Sequence, residues 1–480
     1  MKLPLFGQTG AERFDDASYQ KTQNWYPHVN QEAKSKLMLY PTPALVEEVS
    51  TGTAGTIRGM IEYGGKLYVV SANEFYRIES TGAKVLLGTL TTSSGRVSMA
   101  HNGASNGKQI MIVDGTAMWK YKPDDGTPFE QVTQFNDAST AIFTATHIAF
   151  MDGFFIANDT STTGQFYKSA GYDGTDWDTL DFATAERSPD DLEALIVANR
   201  NLYLVGHHTT EQWYNSGTGT FPFAPMQQGF TQYGTVAPWS VIEVAGTLFF
   251  LSQNDEGVGQ VIMMNGVTPT LISTSSIAAE ISKLTSLSDA YAWTYQYQQH
   301  TFYVLTFPTD GRTFVYDLST QAWHEWSVKS TGYHRGSHHV YVYGKHYIGD
   351  NAGNKVYSLD WDTYTDDGEA IQRIRRSANV INEDGSTKMR HWAVRIDIKE
   401  GVENADCTDP MLKLRWRDDN GAWSSYYSRS MGKIGETSQR LIWRRLGRSG
   451  DRVYEISTQD PVACVLIDSF IEVTPDNGEI

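Results

Sequence analysis

Paired histidines, two cysteines and a set of arginines are the side chains whose types and spacing could do chemistry in this sequence. His207-His208 and His338-His339 are adjacent pairs. Neighbouring residues of a strand point to opposite faces, so such a pair does not converge on one ion. No carboxylate or cysteine cluster accompanies them at ligand spacing. Cys407 and Cys464, 57 residues apart, are too few for a disulfide framework, and they read as two buried thiols of a chain assembled in a reducing cytoplasm. Gly-x-Ser-x-Gly, a Walker loop and His-Glu-x-x-His are all missing, which leaves no motif for a catalytic, metal or cofactor site.

The arginines are concentrated. Residues 371–454 hold 17 Lys and Arg against 11 Asp and Glu, a balance of +6, while the rest of the chain carries −23. Arg373, Arg375, Arg376, Arg444, Arg445 and Arg448 stand out within that stretch as a candidate subunit interface. Three readings remain open for them: a solvated face, an interface for an acidic neighbour, or nucleic-acid contact. The total of −17 and the pI near 5.1 weaken the last.

What positions these residues is a repeat. A short apolar strand recurs at Leu67-Tyr68-Val69-Val70, Ile110-Met111-Ile112-Val113, Phe154-Phe155-Ile156-Ala157 and Leu202-Tyr203-Leu204-Val205. It returns at Leu248-Phe249-Phe250-Leu251, Phe302-Tyr303-Val304-Leu305 and His346-Tyr347-Ile348-Gly349, with starts 43, 44, 48, 46, 54 and 44 residues apart. Gly65, Gly153, Gly246 and Gly344 stand one or two residues upstream, as hairpin turns require. A more polar, aromatic strand follows each, such as Phe75-Tyr76-Arg77-Ile78 or Met118-Trp119-Lys120-Tyr121. Units of this length match four-stranded propeller blades. The fold class is therefore all-β, a propeller of six or seven blades with six slightly favoured; a large sandwich is the rival. Ser276 to Leu284 breaks the rhythm with apolar residues at helical spacing, and predicts one short rim helix with Ser276 placed to cap it. Propellers of the sialidase type repeat a Ser-x-Asp-x-Gly-x-x-Trp box. The nearest run, Ser169 to Trp177, occurs once and puts Asp173 directly before Gly174, so it reads as a turn.

The ends depart from the repeat. Residues 1–55 read as an extended segment packing on the C-terminal domain or a neighbour, 56–370 as the propeller, and 371–480 as a β-sandwich. Alternating strands are expected at His391–Ile398 and Leu412–Arg417, followed by Leu441–Arg448 and Ala463–Ile467. The sequence has no run of 18 apolar residues and no signal-peptide core, so membrane insertion is not expected.

Several stretches resemble, in order, the packaged-DNA stabilization or tail hub (nozzle) proteins of short-tailed bacteriophages. They are Asn24-Trp25-Tyr26-Pro27, Pro41-Thr42-Pro43, Gly95 to His101, Ala183 to Asp190, Ser276-Ile277, His300 to Pro308, and Leu441 to Arg448. The resemblance implies a structural virion protein, not an enzyme, forming a hexameric ring below the portal and its adaptor. It implies closure of the channel after packaging and passage of double-stranded DNA at ejection without sequence-specific binding. It also implies docking of tailspikes or fibres and of a needle or plug. The six arginines, singled out by charge, are the candidate interface to a subunit or the adaptor. The rival readings are a glycan-degrading propeller, which needs paired carboxylates in a central pocket, and a glycan-binding one.

Overall fold

The computed structural model describes all residues except 12–18, 33–34, 104–107, 124, 127, 186, 189, 255, 383–386, 437–439 and 477–480. The repeat folds as seven four-stranded antiparallel blades. Blades one to six use residues 57–89, 98–132, 148–184, 192–231, 242–271 and 291–325 in order. The innermost strands, Ile57–Tyr63, Ser98–His101, Ile148–Met151, Leu192–Ala198, Ile242–Val244, Tyr291–Tyr297 and Gly336–Val342, neighbour one another in a closed circle around an axis.

The apolar repeat seen in the sequence is the second strand of each blade. Leu67, Tyr68, Val69 and Val70 are all fully buried, because blades pack on both faces of that strand. Each such side chain contributes about 1.5–3 kcal/mol through the surface it removes from water. The turn from the first strand into the second has both central residues at positive φ in six blades. Gly64-Gly65, Asp152-Gly153, Ala245-Gly246 and Tyr343-Gly344 use the expected glycine, whereas Asn199-Arg200 and Gln298-Gln299 hold the same shape without one. This is the two-residue turn whose twist matches that of the strands.

Blade seven corrects two expectations. Its first three strands are Gly336–Val342, Lys345–Asp350 and Lys355–Asp360, and its fourth is Ala44–Ser50. Leu45 pairs with Leu359 and Val46 with Ser358. The count is thus seven rather than the favoured six, and residues 1–55 are not one unit. The closing strand sits some 300 residues from its partner, so no local repeat announces it.

The strands Tyr19–Gln23, Trp25–Val29 and Leu37–Pro41, before Ala44, belong to the sandwich. One of its sheets is Trp25–Val29, Leu37–Pro41, Leu466–Pro475, Met389–Ile398 and Leu441–Arg444, with Arg448–Ser449 on the edge of Met389–Ile398. The other continues blade six: Ala322–Glu325 pairs in parallel with Tyr19–Gln23, which leads to Arg373–Arg376, Asp451–Thr458, Met411–Asp418 and Tyr427–Ser430. Trp25, Leu39, Val394, Ile396, Leu414, Trp443, Ile456 and Leu466 fill the space between the two sheets. The expected strand at Leu441–Arg448 breaks at Arg445 and Gly447, which have positive φ. The strand expected at Ala463–Ile467 starts at Leu466 and runs on to Pro475.

The rim helix is Ser275–Ile281, with its cap at Thr274, two residues before the expected Ser276. Thr274 is extended, and its Oγ1 accepts from the Ile277 N–H at 3.3 Å. Ser276 is already helical and packs against Gly10, where an added Cβ would lie 2.5 Å away. No helix among the described residues is long and apolar enough to cross a membrane.

Candidate interface and axial cavities

The six arginines separate into two groups. Arg373 and Arg375 are fully buried, which corrects their assignment to an outer interface. Their strand is the third rung of the sheet that joins propeller to sandwich, so both faces are covered. Arg375 donates to the Leu5, Gln8 and Lys21 carbonyls, to Thr22 Oγ1 and to Gln20 Oε1, fastening the N-terminal segment. Burial draws its pKa down to about 9, still above neutrality. Arg373 lies 6.0 Å from the Tyr364 ring and near Asp366, whose carboxyl burial pushes up to about 7.

Arg376 is half-buried and shares Glu455 with Arg415 at 2.6 Å each, and Tyr426 Oη donates to the same carboxylate at 2.8 Å. Glu455 is fully buried, and these donors hold it below the usual carboxylate range against the desolvation that raises it. The two guanidiniums also stack: Arg376 sits 4.4 Å over Tyr19, and Arg415 lies 4.6 Å from both Trp423 and Tyr426. Arg444, Arg445 and Arg448 are exposed on the sandwich edge, with Arg448 paired to Asp476 at 2.7 Å. This trio is the part of the candidate set that can meet a neighbour. Sequence reasoning missed Glu455, since one acid in a strand of mixed charge gives no signal until its three donors converge.

Two of the cavities bordering the inner strands lie around the propeller axis. One, of about 250 Å³, is lined by Arg96, Trp239, Trp293, Ser337 and His338 among others. Arg96 Nη2 donates to the Ser337 carbonyl at 2.9 Å and meets His338 Nε2 at 3.0 Å, with its guanidinium 4.7 Å from Tyr291 and 5.3 Å from Trp239. Burial lowers its pKa to about 10 and holds His338 well below its usual value. The second cavity, of about 570 Å³, opens at the C-terminal ends of the inner strands of blades five to seven. Among the described residues lining the two, Glu243 is the single carboxylate.

His338 and His339 diverge as strand geometry requires, whereas His207 and His208 lie in a bend just past the strand Asn201–Gly206, with their rings 4.6 Å apart. His338 turns to Arg96, and His339 Nε2 meets His346 Nδ1 at 2.9 Å. His207 meets Gln253 Nε2 at 3.3 Å. Among the described residues no group of three His, Cys, Asp or Glu is placed to hold a metal ion. The Ser169–Trp177 run is a turn: Asp173 accepts from the Thr175 N–H and hydroxyl, and Trp177 Nε1 donates to the Gly174 carbonyl at 2.7 Å. Cys464 is buried, with its thiol pushed up to about 12, and Cys407 is half-buried.

The residues behind the phage resemblance have structural work. Asn24, at φ +56°, turns the chain from one sandwich sheet to the other; its Nδ2 donates to the Ser327 and Gln372 carbonyls at 2.9 Å. Trp25 Nε1 donates to the Cys464 carbonyl, and the Thr42 N–H donates to the Asn24 carbonyl, so two of the stretches touch. Glu186 and Pro189, within the Ala183 to Asp190 stretch, lie outside the described residues.

A family profile described as "Bacteriophage P22 Gp10, beta-propeller" matches residues 1–364, and one described as "Bacteriophage P22 Gp10, beta-sandwich" matches 373–474. No curated protein matches the chain. Among solved structures, the N-terminal domain of Nup159 aligns at 8% identity and TM-score 0.41, over 71% of this chain and 98% of that one. The extracellular domain of the hybrid two-component system BT4673 from B. thetaiotaomicron aligns at 11% identity and TM-score 0.43, over 92% and 62%. The two profiles together span the propeller and the sandwich described above, and the chain belongs to the bacteriophage P22 Gp10 family of packaged-DNA stabilization, or tail hub, proteins.

Proposed function

We propose that this phage tail protein is one subunit of a homo-hexameric ring below the portal and its adaptor, closing the channel after packaging and conducting double-stranded DNA at ejection. The observation that carries this reading is the segregation of charge. Exposed Arg444, Arg445 and Arg448 lie on the sandwich edge, within a stretch at +6, while the remaining chain is at −23. A closed ring needs one patch to meet a different patch on the next copy, and opposite potentials set that register. The same acidity suits a wall past which DNA slides, because Lys and Arg contacts to phosphate are what create affinity. Tailspikes or fibres and a needle or plug dock on the outer faces of the ring. On this reading the role is structural, as membership of a phage stabilization family implies.

Mass photometry and negative-stain microscopy of the purified chain mixed with its adaptor ring test the proposal. A six-copy ring is expected, with a neutral or acidic lumen. Persistence as a monomer in that mixture, or a lumen lined by Lys and Arg, sinks it.

A further inference from the structure

The larger axial cavity has a lining that the tail-hub role does not use. It lies where the inner strands of blades five, six and seven end, and its walls are aromatic and uncharged apart from one acid. Tyr341, 59% exposed, stands at the rim, with its ring 4.8 Å from that of His346. His346 in turn lies edge-on to Trp361 at 5.5 Å, and Trp361 stacks on Tyr297 at 3.7 Å and 11°. Tyr341, His346 and Tyr297 line the cavity, and Trp361, outside the lining, packs against the last two and fixes them, so little rotamer freedom is left to lose on binding.

Polar groups face these rings. His339 Nε2 and His346 Nδ1 are hydrogen-bonded to each other at 2.9 Å, which leaves the other ring nitrogen of His346 for a ligand. Glu243 Oε1 is taken by the Gly246 N–H at 2.5 Å, leaving Oε2. The Gln296 and Gln298 amides are exposed on the strand end, and Gln298 Nε2 donates to Tyr297 Oη at 3.0 Å.

We propose that this cavity binds a neutral saccharide, one or two pyranose units deep. A pyranose has an apolar C–H face and a rim of hydroxyls that both donate and accept. Aromatic shelves take the first, and amides, an imidazole nitrogen and a carboxylate take the second. Neither Lys nor Arg is among the described lining residues, so nothing there would neutralise a phosphate or sulfate. The volume of about 570 Å³ falls within the range of small-molecule sites. The site stands apart from ring assembly, and its test reads sugar contact rather than mass.

Saturation-transfer NMR on the full chain with glucose, galactose, mannose, N-acetylglucosamine and rhamnose, each at millimolar concentration, is the experiment. Transfer to at least one sugar is expected, weakened about tenfold by Tyr341→Ala through loss of a stacking face, and also reduced by Gln296→Ala. Both positions are exposed, so thermal melts should match wild type. Trp392→Ala, at an exposed aromatic on the sandwich, should leave transfer unchanged. No transfer to any of the five sugars, or equal transfer in wild type and Tyr341→Ala, overturns the proposal.

Discussion

Asn24 and Ser327 exchange two hydrogen bonds: Asn24 Nδ2 donates to the Ser327 carbonyl, and the Ser327 N–H donates to Asn24 Oδ1, each at 2.9 Å. One residue belongs to the N-terminal segment and the other follows the last strand of blade six, so the pair locks sandwich to propeller. Asn24→Asp keeps the shape but removes both donors and sets a buried carboxylate against the Ser327 and Gln372 carbonyls. A loss of about 3 kcal/mol is expected, read as a lower denaturation midpoint, with wild-type behaviour for Asn24→Gly excluded.

Acid should unfold the protein early. Burial lowers His147 and His324 to about 4 and His334, His339 and His391 to about 3. These groups stay neutral in the fold while the unfolded chain takes up protons below about 6.5, so stability is full above that pH and falls as pH drops. Each contributes a slope of roughly 1.4 kcal/mol per pH unit over that window. Asp366, raised to about 7, works the other way and favours the fold at lower pH, as do the raised Asp451 and Glu193, against a larger set of lowered histidines. Thermal melts from pH 7.5 to 4.5 should therefore show a steep decline below 6.5; a flat profile contradicts it.

Closure of the propeller rests on Ala44–Ser50. Leu45 is 1% exposed and packs with Ile348, Tyr357 and Leu359. Leu45→Asp should cost about 3–5 kcal/mol by burying an unpaired charge, and frees the edge of Lys355–Asp360 to pair with other chains. Size-exclusion chromatography should show aggregation where wild type runs as a defined species.

The exposed arginine trio should matter for assembly alone. Arg444→Glu, Arg445→Glu and Arg448→Glu combined should leave the melting temperature of the isolated chain nearly unchanged, since surface ion pairs such as Arg448–Asp476 are worth at most about 1 kcal/mol. Ring formation should be lost, and in wild type it should weaken with added salt. An unaltered ring in the triple variant would move the interface elsewhere.

Thiol titration should separate the two cysteines. Cys464 is buried with its thiol raised to about 12, so it should react with a disulfide reagent only after denaturation. Cys407 is half-buried, also raised, and should react slowly in the native protein. Two fast equivalents at neutral pH would contradict the packing around Val462 and Leu466.

The second and third strands of every blade were legible because neighbouring blades cover both of their faces, leaving unbroken apolar runs such as Leu248 to Leu251. The inner strands were not: Ile242–Val244 has one side on the axis, so its pattern resembles any loop edge. The closing strand Ala44–Ser50 and the rung Tyr19–Gln23 were invisible for another reason, since their partners lie hundreds of residues away and pairing at that distance leaves no local period. Among the candidate site residues, Arg444, Arg445 and Arg448 could be found from charge alone. Arg373 and Arg375 could not be told from them, because burial of an arginine leaves no mark on the sequence around it.

The ladder from blade six through Tyr19–Gln23 and Arg373–Arg376 into the sandwich has a mechanical consequence. Thrust applied to one domain passes to the other as shear across main-chain hydrogen bonds. Such a subunit behaves as a single beam. In the proposed ring, opening for ejection would then come from beams tilting against one another at their contacts, not from bending within any one of them.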